Sequence, residues 1–171
     1  MSRAAGYYSV AYLTASALLL TLHGPATSQK RSDKEIITEF AVLRSSDPHV
    51  IYSSPGGDIQ EHHARYSMLR IAVRNIEIRG SCASACTLVL HHFPKERLCF
   101  GENAALRFHK ASLYTGEPSL EHTLWMVKGL PQDIRTWITD MGGIEAMPHD
   151  GAWTLRAPQL WQMGYKRCGE P

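Results

Sequence analysis

The chain has 171 residues, of which 44% are hydrophobic and 20% are charged. This balance is typical of one globular domain with a modest core. Lys and Arg total 18 against 16 Asp and Glu, so the formal net charge is only +2. No basic stripe with interleaved aromatic residues is present, and nucleic acid is therefore not an expected partner.

The first 28 residues are predicted to be a secretory signal peptide. Arg3 supplies a positive charge, residues 10–22 form an uncharged and mostly apolar run, and Ala26 and Ser28 occupy the small-residue positions before a cleavage site. A membrane anchor is the alternative, but this run of 13 residues is shorter than the ~20 residues that a spanning helix needs. We therefore expect a soluble domain over residues 29–171, periplasmic or secreted, with no membrane attachment after cleavage.

The cysteines are expected to form disulfides, because export places them in an oxidising compartment. The four are Cys82, Cys86, Cys99 and Cys168. A zinc site is the alternative, but no Cys-x-x-Cys pair is present, and no metal is expected. Three pairings exist and the sequence does not choose among them. The pairing we predict is Cys86–Cys99 with Cys82–Cys168.

In the first half of the domain, strands alternate with helices. Strands are predicted at 36–43 and 49–54, and Asp58 is predicted to cap a helix over 59–72. A strand follows at 73–80. The segment 81–93 is predicted to run from a strand end into a helix that Pro94 terminates.

The second half continues the alternation, which predicts an α/β fold. Short strands are predicted at 96–101 and 104–110. Helices are predicted at 120–130 and 131–143, with Pro131 in a first turn and Gly142 as a stop. The segment 153–165 predicts a short strand followed by a last helix.

Three short motifs contain the candidate catalytic residues. In "SSPGGDI" (53–59), a strand ends in Pro-Gly-Gly, whose backbone N–H groups can hold an oxyanion. In "CASAC" (82–86), Ser84 has small neighbours and opens a helix, whose N-terminus would assist a nucleophile. In "ALRFHK" (105–110), His109 ends a strand and could act as a general base. Taken alone, each motif has a purely structural interpretation.

In this order, the motifs resemble those of the Clp protease proteolytic subunit and its relatives in the crotonase-like superfamily. The matching segments are "SSPGGDI", "CASACTLVL" and "NAALRFHKAS", and 25 positions separate Ser84 from His109. The late "LRAPQLWQMGY" is also similar to a helix of that family. The resemblance spans residues 50–165 and is strongest to small exported Clp-like proteins with a Cys-x-Ser-Ala-Cys turn.

The resemblance implies a single domain of repeated strand-strand-helix units that acts as a peptidase-like serine hydrolase. Ser84 matches the nucleophile, His109 the base, and the N–H groups of Gly57 and Ala85 the oxyanion hole. A peptide or small acyl substrate would acylate Ser84, and water would then release it. No cofactor is implied.

The sequence departs from the family pattern at the third catalytic position. An alignment on the Ala-Pro dipeptide places Ala152 where the family has an acid, and Asp150 is reached only by a two-residue shift. The chain before the Pro-Gly-Gly turn is also short. The sequence is compatible with an oligomer, but a ring like that of the protease subunit is not expected. The alternative function is a weak or inactive Clp-like module that binds peptide or acyl ligands in the cell envelope. A crotonase-type acyl-CoA enzyme is a third and weaker alternative, because an exported protein is separated from the cellular CoA.

Overall fold

The computed structural model describes residues 47–170, which form a mixed α/β fold. The predicted signal peptide and the strand predicted at 36–43 lie outside these residues. The strands are β1 (His49–Ile51), β2 (Ile76–Ile78), β3 (Ser81–Ala83), β4 (Leu98–Phe100), β5 (Ala105–Phe108), β6 (Trp153–Arg156) and β7 (Lys166–Arg167). The helices are α1 (Ile59–Ala72), α2 (Val89–His92), α3 (Leu120–Lys128), α4 (Gln132–Asp140), α5 (Gly143–Ala146) and α6 (Ala157–Gln162). Two 3₁₀ turns, Ser84–Leu88 and Lys95–Arg97, complete the described elements.

The strands lie in two small sheets. The first has the order β1-β2-β4-β7 and is parallel throughout. The second has the order β3-β5-β6, in which β3 and β5 are parallel and β6 is antiparallel to β5. The chain runs from β2 into β3, and from β4 into β5, so each of these strand pairs spans both sheets.

A parallel bridge between Ser54 and Cys82 adds the chain after β1 to the second sheet. The Ser54 N–H donates to Ser81 O at 2.8 Å, and the Ala83 N–H donates to Ser54 O at 2.9 Å. Because Ser54, β3 and β5 run in parallel, the turns that follow them emerge at one edge of the sheet. The Pro-Gly-Gly turn and Ser84 therefore lie at the same edge of the sheet.

The predicted helices are confirmed where capping signals were clear. Helix α1 spans the predicted 59–72, and the Asp58 carboxylate accepts a hydrogen bond from the Glu61 N–H at 2.8 Å. Ser119 caps α3 in the same way. Gly142 follows the end of α4 with a φ of 109°, which only glycine adopts without strain.

The core lies between the sheets and the helices. Leu69 of α1 and Leu160 of α6 are fully buried against strand residues that include Ile76, Phe100 and Leu106. The strand residues are buried because successive side chains of a strand point to opposite faces, so that every second one points into the core. This packing fixes the strands whose ends carry the candidate site.

The structure forms two disulfides, and the predicted pairing is wrong. The bonds join Cys82 to Cys86 and Cys99 to Cys168. Cys99 lies on β4, and β7 pairs with β4 so that Lys166 is opposite Cys99, which brings Cys168 within 4.9 Å between Cα atoms. The reversal at Ser84 brings the Cα atoms of Cys82 and Cys86 within 5.3 Å. Both Cα distances lie in the range that a disulfide requires.

Among residues 47–170, no helix combines the length and the apolar character needed to cross a bilayer.

Candidate active site

Ser84 stands at a sharp turn between β3 and the 3₁₀ turn Ser84–Leu88. Its φ is 53°, and it is the only non-glycine residue with a positive φ among the described residues. An L-residue pays about 1–2 kcal/mol for this left-handed conformation. Such backbone strain persists where the surroundings enforce it, and it concentrates at functional sites. A serine exposed on a strained strand-to-helix turn is also the arrangement of the nucleophile elbow in hydrolases.

The Pro-Gly-Gly turn packs directly on this serine through Gly56. A Cβ atom on Gly56 would lie 2.6 Å from Ala83 O, 2.6 Å from Ser84 Cβ and 3.0 Å from Ala85 N. The φ of Gly56 is also 90°. Only a glycine therefore fits here, and sequence reasoning missed this role because it assigned a function to Gly57 alone.

The two backbone groups predicted as an oxyanion hole belong to these adjoining turns. Gly57 follows Gly56, which packs on the Ser84 turn. A Cβ on Gly57 would meet only His62 Cε1, at 3.6 Å. Ala85 is the second residue of the 3₁₀ turn, so its N–H has no acceptor within that turn. The structure thus brings the Gly56–Gly57 backbone to the Ser84–Ala85 turn.

His109 follows β5, the neighbour of β3. The register pairs Ala83 with Arg107, so Ser84 and His109 leave adjacent parallel strands at the same edge. The Nδ1 atom of His109 lies 2.8 Å from the Lys110 carbonyl oxygen. Because a carbonyl only accepts, Nδ1 carries the proton and donates, which leaves the Nε2 lone pair free. No hydrogen bond links Ser84 to His109 within residues 47–170.

Asp150 lies beside a different histidine. Its carboxylate is fully exposed and lies 3.7 Å from His149 Nδ1, while His149 Nε2 is 3.1 Å from Ser112 Oγ. Strand β6 pairs Trp153 with Phe108, so one step further the register places Ala152 opposite His109. Ser112 and His149 form a pair that sequence reasoning missed, since 37 positions separate them and no motif links them.

A pocket of about 380 Å³ adjoins the Gly57 turn and is lined in part by Ile59, Leu113 and Tyr114. The Tyr114 hydroxyl donates to the Asp58 carboxylate at 2.6 Å. This hydrogen bond is the main cause that lowers the pKa of Asp58, and it raises the pKa of Tyr114. Tyr114 therefore ties the loop after β5 to the start of α1, next to the candidate site.

No protein-family model matches this chain. No curated protein matches it either. Among solved structures, it is similar to the ClpP protease catalytic domain from Plasmodium falciparum, with 17% sequence identity and a TM-score of 0.49. The match covers 81% of this chain and 79% of that chain. At this identity and TM-score, the match alone assigns neither a family nor an activity.

The sequence contains two His-His dipeptides, His62–His63 and His91–His92. One histidine of each dipeptide contacts the other dipeptide across the interface of two helices. His92 Nε2 lies 3.0 Å from His63 Nδ1, and His91 Nε2 lies 2.7 Å from Met126 O. Trp125 packs against both His63 and His91. Burial, with a smaller contribution from the charge of His63, lowers the pKa of His92 to about 4. One nitrogen of the His63–His92 pair therefore donates to the other, and the contact joins α1 to α2.

One group of three metal-ligating residue types occurs within residues 47–170, and it consists of Glu77, Cys99 and Cys168. The two sulfur atoms are bonded to each other. A disulfide sulfur is not a thiolate, so this group is not a metal site.

Proposed function

We propose that the protein is a serine hydrolase, peptidase-like in its chemistry, with Ser84 as the nucleophile. The observation that carries the proposal is the strained backbone of Ser84, with a φ of 53°, at a strand-to-helix turn packed by Gly56. This conformation costs about 1–2 kcal/mol, and such backbone strain concentrates at functional sites. A strained strand-to-helix turn of this kind also holds the nucleophilic serine of hydrolases.

The residues of the site have distinct roles in the proposed mechanism. His109 Nε2 takes the proton of the Ser84 hydroxyl as its oxygen attacks the substrate carbonyl. The N–H groups of Gly57 and Ala85 stabilise the oxyanion of the tetrahedral intermediate. Collapse of this intermediate transfers the proton from His109 to the leaving group. Water then attacks the acyl-enzyme by the same route and releases the product.

The partner of His109 sets the expected rate. The Lys110 carbonyl, 2.8 Å from Nδ1, holds the productive tautomer but carries no full negative charge. The imidazolium that forms during the reaction is therefore stabilised less than it would be by a carboxylate. Loss of the orienting acid from a serine triad costs about 10⁴-fold in turnover, so we propose a slow enzyme. Asp150 remains the candidate for the third residue.

The second candidate function is a binding module for peptide or acyl groups. The position of the Asp150 carboxylate, 3.7 Å from His149 and on an exposed side chain, favours it. With no acid behind His109, acylation of Ser84 becomes slow enough that the pocket beside Gly57 acts mainly by binding.

Labelling with a fluorophosphonate probe tests the proposal, because it requires only an activated serine and not full turnover. We expect the modification on Ser84, identified by mass spectrometry of the digested protein, and its loss in Ser84→Ala and His109→Gln. Ser112→Ala is the matched control, since Ser112 Oγ lies 3.1 Å from the Nε2 atom of a different histidine, His149. An unlabelled wild-type protein, or a label on Ser112 in place of Ser84, would refute the hydrolase proposal.

We also propose that the protein works in the periplasm or outside the cell. The two disulfides support this location, since such bonds persist in oxidising compartments. Thiol alkylation of the protein from the native host, followed by mass spectrometry, tests it. Four reactive thiols before reduction would contradict the proposed location.

A further inference from the structure

One disulfide brackets the candidate nucleophile, with Cys82 two positions before Ser84 and Cys86 two positions after it. Cys82 belongs to β3 and Cys86 to the 3₁₀ turn, so the bond crosses the point where the strand ends. The other disulfide joins β4 to the C-terminal residues and does not touch this turn.

The bond limits the conformations open to residues 82–86. In an extended chain, Cα atoms four positions apart are separated by about 13 Å, whereas Cys82 and Cys86 are held at 5.3 Å. The chain must therefore reverse within Ala83, Ser84 and Ala85. The positive φ of Ser84, 53°, is part of this reversal.

Hydrogen bonds hold the two sides of the turn. Before Ser84, the Ala83 N–H donates to Ser54 O at 2.9 Å. After Ser84, the Thr87 hydroxyl donates to Ser84 O at 2.7 Å. Gly56 packs against the centre of the turn by van der Waals contact. The disulfide is the covalent constraint that spans both sides.

The bond is also inaccessible to reductants. Cys82 and Cys86 are both 0% exposed, and the Tyr66 hydroxyl donates to Cys86 Sγ at 3.6 Å. Thiol exchange requires attack on a sulfur by a thiolate, which the surrounding core prevents in the folded protein. The bond is therefore a permanent constraint and not a redox switch.

We infer that Cys82 and Cys86 are positioning residues, whose disulfide holds Ser84 in its left-handed backbone conformation. The inference rests on the proposed function for its catalytic meaning, but its conformational part can be measured separately.

The test compares two variants that each lack one disulfide. In Cys82→Ala/Cys86→Ala, we expect the backbone amides of residues 83–87 to exchange with deuterium at least 10-fold faster, and fluorophosphonate labelling of Ser84 to slow at least 10-fold. In Cys99→Ala/Cys168→Ala, we expect faster exchange near the C-terminus and a wild-type labelling rate. A third variant, Cys82→Ala/Cys86→Val, refills part of the core volume without restoring the bond, and it should behave like the first.

Each outcome decides between the two proposals. Unchanged exchange in residues 83–87, or wild-type reactivity of the refilled variant, would overturn the positioning role. If neither variant at positions 82 and 86 folds while the Cys99–Cys168 variant does, the bond serves the whole fold and the local role is wrong. If the wild-type protein is not labelled but exchange still depends on the bond, the positioning of the turn stands and the hydrolase proposal fails.

Discussion

Replacing Gly56 by alanine should destabilise the protein by about 2–5 kcal/mol. The residue has a φ of 90°, and an L-residue pays about 1–2 kcal/mol for a left-handed backbone. The new Cβ would also lie 2.6 Å from Ala83 O and 2.6 Å from Ser84 Cβ. These neighbours are a backbone atom and a short side chain, so neither can rotate away. Relief by shifting the turn costs about 1–3 kcal/mol, as in other overpacked sites.

Gly116→Ala is the matched control for this prediction. Gly116 has a φ of 89°, and a Cβ there would meet nothing within 4 Å. It should lose only the backbone contribution of about 1–2 kcal/mol. Equilibrium unfolding in urea measures both losses, and the difference of about 1–3 kcal/mol isolates the contact with the Ser84 turn. Equal destabilisation of the two variants would show that Gly56 does not support this turn.

Three further predictions address the strained serine, the long disulfide and the buried histidine. Ser84→Gly should be more stable than Ser84→Ala by about 1 kcal/mol, because glycine adopts a positive φ without strain; equal unfolding temperatures would argue against strain. Cys99→Ala/Cys168→Ala should lose about 4 kcal/mol in the chain-entropy model, since the bond spans 69 positions, and a loss below about 1 kcal/mol in denaturant unfolding contradicts this. The pKa of His92 is about 4 in the fold against its ordinary value of 6.5, so the unfolded chain binds more protons, and stability should rise from about pH 4 to pH 6.5. His92→Gln should flatten this rise when unfolding is measured across that range, and an unchanged slope would contradict the assignment.

Local signals in the sequence predicted most of the helices. Asp58 caps its helix and Gly142 marks a stop, because capping chemistry acts within a few residues and is visible in the sequence. The helix predicted after Ser84 instead begins as a 3₁₀ turn and becomes α-helical only for Val89–His92. The small residues and the disulfide at this turn tighten the backbone in a way that periodicity does not reveal.

The missed features depend on contacts between distant segments. Strand β7 has only two residues, both exposed, so no hydrophobic alternation marks it. Without β7, nothing in the sequence places Cys168 beside Cys99, and the predicted disulfide pairing failed for that reason. The contact of Gly56 with Ser84 and the approach of Ser112 to His149 likewise arise from the fold.

Because β3 and β5 are hydrogen-bonded neighbours, the sheet determines how far apart the backbones of Ser84 and His109 lie. Adjacent strands lie about 4.8 Å apart, a distance fixed by backbone hydrogen bonds and independent of side chains. Insertions in the exposed Glu102–Asn103 turn between β4 and β5 should therefore leave the pair in place. A single residue inserted within β5 would instead reverse the alternation of its side chains and turn the imidazole to the opposite face. For protein engineering, the turn between β4 and β5 is open to redesign, whereas the length of β5 is not.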